Sequence, residues 1–129
     1  MSRDHSKLKV FEMADELVVA VYRTTTTFPK EERFGLVSQL RRAAISAPTN
    51  IVEGCARRTT RDYVHFLEMA LGSASELRYL LGVSHRLGFL SKADRDRLDR
   101  NCAALVRSLQ RLIDSLGAGA RSPESEASL

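Results

Sequence analysis

The chain has 129 residues, 43% of them hydrophobic and 28% charged, enough for one buried core and too apolar for a wholly disordered polypeptide. Its 20 Lys+Arg exceed its 16 Asp+Glu, giving a net charge of +4. No apolar run approaches the roughly 18–20 residues of a membrane span, and Met1-Ser2-Arg3-Asp4-His5-Ser6-Lys7 lacks the apolar stretch of a secretory signal, so a cytoplasmic protein with no membrane role is expected.

Helical periodicity dominates from the start. Phe11, Ala14, Val18 and Val21 step by three and four, flanked by Val10, Leu17 and Tyr22. Four consecutive threonines, Thr24 to Thr27, end this first helix, because β-branched side chains crowd a helix interior. Pro29 with Glu31 and Glu32 suits a first helical turn, so a second helix is expected to start near Pro29. It carries two adjoining stripes: Leu36, Leu40, Ala43, Ala47, Gly54 and Val37, Ala44, Pro48, Ile51, Cys55. Pro48 is expected to kink the helix without ending it, since the stripes resume beyond it. The two stripes together exceed what one bundle core needs, which predicts self-association.

Thr59 and Asp62 form a capping pair that opens a third helix, expected to bury Phe66, Ala70, Ala74, Leu77 and Leu81 and to stop at Gly88. Ser91 and Asp94 open a fourth in the same way. Its seam is Leu98, Cys102, Leu105, Leu109, Leu112 and Leu116. From Gly117 the sequence loses its period and is expected to be disordered. The expectation is an all-α, up-down-up-down four-helix bundle over residues 1–116, with a kinked second helix and a disordered tail over 117–129.

Chemistry is sparse along this scaffold. His5, His65 and His85 do not follow a Glu at the three-residue spacing of a carboxylate-bridged metal site, and no phosphate-binding loop or nucleophile motif is present. Neither a metal, a cofactor nor a catalytic residue is expected. Cys55 and Cys102 fall on apolar stripes, where a thiol acts as a small hydrophobe. Glu76 lies in the otherwise apolar or small stripe Met69, Gly72, Ser73, Leu80, Val83, and Glu53 ends a polar stripe Gln39, Arg42, Ser46, Thr49 on the most hydrophobic helix, with Arg41 and Arg42 as the nearest donors. A partly buried network of Arg42, Glu53 and Glu76 that fixes register between helices or subunits is therefore expected, in which removing one partner would cost the fold or the assembly about 2–4 kcal/mol where the network is well buried. Arg57, Arg58 and Arg61 straddle the second loop with only Asp62 nearby, a candidate phosphate-binding cluster without aromatic residues to stack bases. Arg97, Arg100, Arg107 and Arg111 alternate with Asp94, Asp96, Asp99 and Asp114 and read as a solvated face.

Three stretches carry a family likeness: Phe28 to Leu36, Gln39 to Ala43 and Ser46 to Gly54, joined by Phe66 to Glu76 in the third helix. Together they resemble the bacterial four-helix-bundle proteins encoded in intervening sequences of 23S ribosomal RNA genes. The resemblance implies an up-down-up-down bundle, a ring-like homopentamer and an RNA-related role, with no catalytic residues to carry over. Val52 stands where the family tends to have Ala, and Cys55 where an aromatic or polar residue is commoner, so this helix face is slightly more apolar. The expected function is a non-enzymatic homo-oligomer binding RNA or a ribonucleoprotein through basic surface. The competing expectation is a protein-interaction or scaffold module.

Overall fold

A computed structural model describes residues 3–120, with side chains for 3–117. Four α-helices form: α1 Lys9–Thr25, α2 Leu36–Cys55, α3 Thr60–Arg86 and α4 Lys92–Ala120. Thr59 Oγ1 accepts from Asp62 N at 3.1 Å and Ser91 Oγ from Asp94 N at 3.1 Å, so both expected N-caps operate. Gly88 takes φ +82°, the left-handed conformation that ends α3 without a Cβ penalty.

Among the described residues each helix packs against two neighbours, α1 and α3 both lying between α2 and α4, with no close approach across either diagonal. Polar contacts give the directions. Arg41, early in α2, donates to Thr25 at the end of α1 (3.0 Å). Ser46 and Ser73 meet at 2.8 Å midway along α2 and α3, and Arg78 grips Asp99 with two bonds of 2.9 and 3.2 Å between α3 and α4. With Gly54 at the end of α2 against Tyr63 and Phe66 at the start of α3, consecutive helices run antiparallel, as an up-down-up-down bundle requires.

Two helix ends differ from expectation. Lys30–Glu32 form a lone 3-10 turn, and α2 starts only at Leu36. Gly35 at its N-cap has φ −107° and ψ −107° and no side chain to cap with, so the Glu32 carboxylate accepts from Leu36 N instead (3.3 Å). At the other end, α4 continues through residues 117–120, correcting the expected start of the tail. Glycine weakens a helix without stopping it, and no proline occurs before Pro123. The rest of the expected tail, 121–129, lies outside the described residues.

The core is one layer between the four helices. From α2 it takes Val37, Leu40, Ala43, Ala44, Ala47, Pro48, Ile51, Gly54 and Cys55. Apart from half-buried Leu36, both apolar stripes of α2 are thus buried within a single chain, which removes the reason the sequence offered for self-association. The helix runs on through Pro48, whose ring cannot donate to the Ala44 carbonyl. On α3 the buried face is Tyr63, Leu67, Ala70, Ala74, Leu77 and Leu81, with Phe66 at its rim. On α1 it is Val10, Ala14, Leu17 and Val21, leaving Phe11 and Val18 half-buried. In both helices the stripe sits one residue from the expected one at some turns, because a face wide enough to touch two neighbours admits either choice.

The helices differ in length at the end where α2 meets α3. The 17 residues of α1 span about 26 Å, whereas the 27 of α3 span about 40 Å. The segment before α1 therefore crosses the bundle end: Arg3 N donates to Cys55 O at 2.8 Å. Asp4 then caps a 3-10 turn over His5–Lys7 through Ser6 N (3.0 Å).

Candidate nucleic-acid interface

Arg57 and Arg58 leave the end of α2, and Arg61 opens α3. The chain turns tightly here, with Ala56 N bonded to Glu53 O (3.2 Å) and Arg57 N to Gly54 O (3.1 Å). Gly54 lets the two helices close: a Cβ there would lie 3.0 Å from Phe66 Cβ and 3.1 Å from Tyr63 Cδ1. The three arginines expected to act together are thus brought to one end of the bundle, and they differ in how they are held. Arg57 bonds Glu53 (Nη2 to Oε2, 2.9 Å), and its guanidinium lies 4.6 Å from the centre of the Phe66 ring. Arg58 and Arg61 are exposed and make no ion pair among the described residues.

Arg3 joins them. Its guanidinium lies 4.0 Å from the centre of the Tyr63 ring, one helical turn from Phe66. Arg3 Nη1 and Arg57 Nε are buried without a hydrogen-bond acceptor, so the ring faces help hold both cations, Arg57 beside its bond to Glu53. The result is two guanidinium groups held on adjacent aromatic rings, with part of their conformational entropy already lost before any anion arrives. Sequence reasoning missed Arg3 because nothing local ties residue 3 to residue 55. The usable signal was Tyr63 and Phe66, three residues apart and opposite the glycine that ends the Glu53-Gly54 pair. These rings do not make a base-stacking surface: Tyr63 is 2% exposed, and burial pushes its hydroxyl pKa up.

The expected carboxylate network takes a different form. Arg42 Nη2 and Glu76 Oε2 are 4.0 Å apart with side chains 64% and 46% exposed, and Arg42 also bonds Gln39. Glu53 belongs to Arg57, and Arg41 is held by Thr25 and the Tyr22 carbonyl. Within the single chain the expected buried triad is therefore a weak surface contact and a separate exposed pair, since both carboxylates can reach water. Arg42→Ala and Glu76→Ala are each expected to cost the single chain no more than about 1 kcal/mol, well below the 2–4 kcal/mol of a buried pair. Denaturant unfolding of both singles and the double variant checks this; a coupling above that range would restore the buried reading.

Other polar groups are accounted for locally. Asp94 pairs with Arg97, Asp96 with Lys92 and Arg95, and Asp99 with Arg78 of α3, whereas Arg100, Arg107 and Arg111 are exposed and form no ion pair among the described residues, so the acids of α4 offset only part of its basic charge. Cys55 and Cys102 are free and buried; burial raises both thiols, that of Cys102 to about 12. No group of three or more His, Cys, Asp or Glu among the described residues is placed to hold a metal, and no described helix is long and apolar enough to cross a membrane.

Comparison with known proteins supports the same fold. Residues 6–111 match the family described as "23S rRNA-intervening sequence protein". The solved structure of a protein of unknown function from the S23 ribosomal protein family of Bacteroides thetaiotaomicron is similar, with a TM-score of 0.75 at 20% identity, covering 81% of this chain and 95% of that one. At that identity the likeness concerns the fold. No curated protein matches the chain.

Proposed function

Since the chain belongs to the 23S rRNA-intervening sequence protein family, we propose that it binds RNA phosphates through the arginine-rich end where α2 meets α3, acting as an assembly of several copies. The observation that carries this reading is the convergence of Arg3, Arg57, Arg58 and Arg61 on one bundle end, two of them held on aromatic rings. Such a surface offers charge and rigid guanidinium donors, with Tyr63 buried and Phe66 half-buried and only the His65 ring exposed beside them. It suits phosphates without sequence preference.

Assembly supports the reading because repeated clusters let one RNA touch several weak sites at once. The number of copies is proposed as five, following the family resemblance. No catalytic step is part of the proposal: the protein works by binding, in the cytoplasm, on RNA or a ribonucleoprotein.

A scaffold role without nucleic acid is the second reading, favoured by Phe34, which is 88% exposed and suits a protein contact. Filter binding of an unstructured RNA at about 50 mM salt separates the two. Retention that falls with added salt is expected. No retention by a protein whose mass in light scattering exceeds 14.4 kDa leaves the scaffold reading in its place.

A further inference from the structure

On the face away from the arginine cluster's loop, a groove of about 670 Å³ runs along α2 beside the end of α1. Its lining includes Arg33, Phe34, Arg41, Arg42 and Ile45, and no carboxylate. Phe34 is 88% exposed and Ile45 42%. Of the three arginines only Arg42 reaches an acid, Glu76 at 4.0 Å. Hydrophobic surface and unmatched positive charge thus occupy one concave strip.

The outer face of α1 has the opposite character. Glu12, Asp15, Glu16 and Val19 are all exposed and, by their spacing, share one side of the helix. None of the three acids forms an ion pair among the described residues. Val19, 45% exposed, supplies an apolar side chain among them.

We propose that these two surfaces bind each other between copies: the Arg33–Phe34–Arg42 groove of one chain receives the Glu12–Asp15–Val19 face of the next. This rests on the reading that the protein works as an assembly, and it says which surfaces build it. RNA would match the arginines of the groove yet leave the acidic face without a role, whereas a second copy of this chain matches both. Phe34 and Ile45 meet Val19, while guanidinium groups meet carboxylates that are unpaired in the single chain. The contact is head-to-tail. Because the two faces belong to neighbouring helices and point in different directions, successive contacts turn from copy to copy, as a closed ring requires.

Two variants and their mixture test the pairing. One breaks the groove (Arg33→Glu with Phe34→Asp); the other breaks the α1 face (Glu12→Arg with Asp15→Arg). All four side chains are exposed, so helicity by circular dichroism is expected to stay at the wild-type value. Should the double groove variant lose helicity, Arg33→Glu alone carries the test. Each variant alone is expected to fall to the mass of one chain, 14.4 kDa, at micromolar concentration. Mixed one to one, they retain one intact groove and one intact α1 face between them and should form a pair of chains and nothing larger. A variant that keeps the wild-type mass, or a mixture that stays monomeric, overturns the pairing while leaving assembly itself intact. A monomeric wild type overturns the assembly reading and this inference with it.

Discussion

Replacing Gly54 by valine is expected to destabilise the bundle by about 1–3 kcal/mol, whereas Gly82→Ala is expected to stabilise it by about 0.5–1 kcal/mol. Both glycines lie within helices, so propensity alone would make both substitutions gains. Space decides the sign. A Cβ at Gly82 meets nothing within 4 Å. At Gly54 it would lie 3.0 Å from Phe66 Cβ and 3.3 Å from the Tyr63 carbonyl, atoms fixed by the α3 backbone that cannot swing aside. Relief requires α3 to move away from α2, and the γ methyl groups of valine enlarge the movement. Chemical denaturation should show opposite shifts in midpoint with an unchanged slope. A Gly54→Val protein as stable as wild type would mean that the α2–α3 contact is looser than its geometry. The same displacement would pull Tyr63 and Phe66 from beneath Arg3 and Arg57, linking this packing to the arginine end.

That link was only partly legible in the sequence. The α3 and α4 caps, the Gly88 stop and the leucine seam of α4 were legible because each rests on residues within a turn or two of one another. The start of α2 was not: Pro29, Glu31 and Glu32 make a good first turn, and they do make one, but Gly35 breaks it before it can propagate. Among site residues, Arg57, Arg58 and Arg61 were legible as near neighbours in the chain. Arg3 was hidden, because its position depends on how far α1 falls short of the bundle end. That Glu76 is half-exposed in the single chain was hidden for a different reason. Its helical stripe of Gly72 and Ser73 looked like core, yet small residues also occur where a helix faces outward, and Gly72 has open space around it. Glu53 was misassigned because Arg57, the partner one turn onward, had been set aside as a free cation.

The partnership of Arg57 with Glu53 makes the four arginines unequal in RNA binding. For a single strand, each neutralised phosphate contributes about 0.7 to the slope of log affinity against log salt. Arg58→Ala and Arg61→Ala are each expected to flatten that slope by close to this amount per contacting copy, because neither side chain has an ion-pair partner to release. Arg57→Ala should flatten it less, since Glu53 at 2.9 Å already offsets part of its charge. The reverse change follows from the same geometry. Glu53→Gln removes the competing carboxylate while keeping the side-chain shape, leaving the Arg57 guanidinium on the Phe66 ring and free to meet a phosphate. It should therefore tighten binding and steepen the slope, at little expense in stability, because the lost pair is exposed at 43% and 51%. Filter binding across about 50–200 mM salt, with helicity and mass held as controls, orders the four variants. Generic electrostatics would make the three arginine-to-alanine changes equivalent, and Glu53→Gln no different from any other removal of an exposed carboxylate, such as Glu68→Gln. An observed ranking of that kind would mean that RNA meets the protein's overall charge and not this cluster.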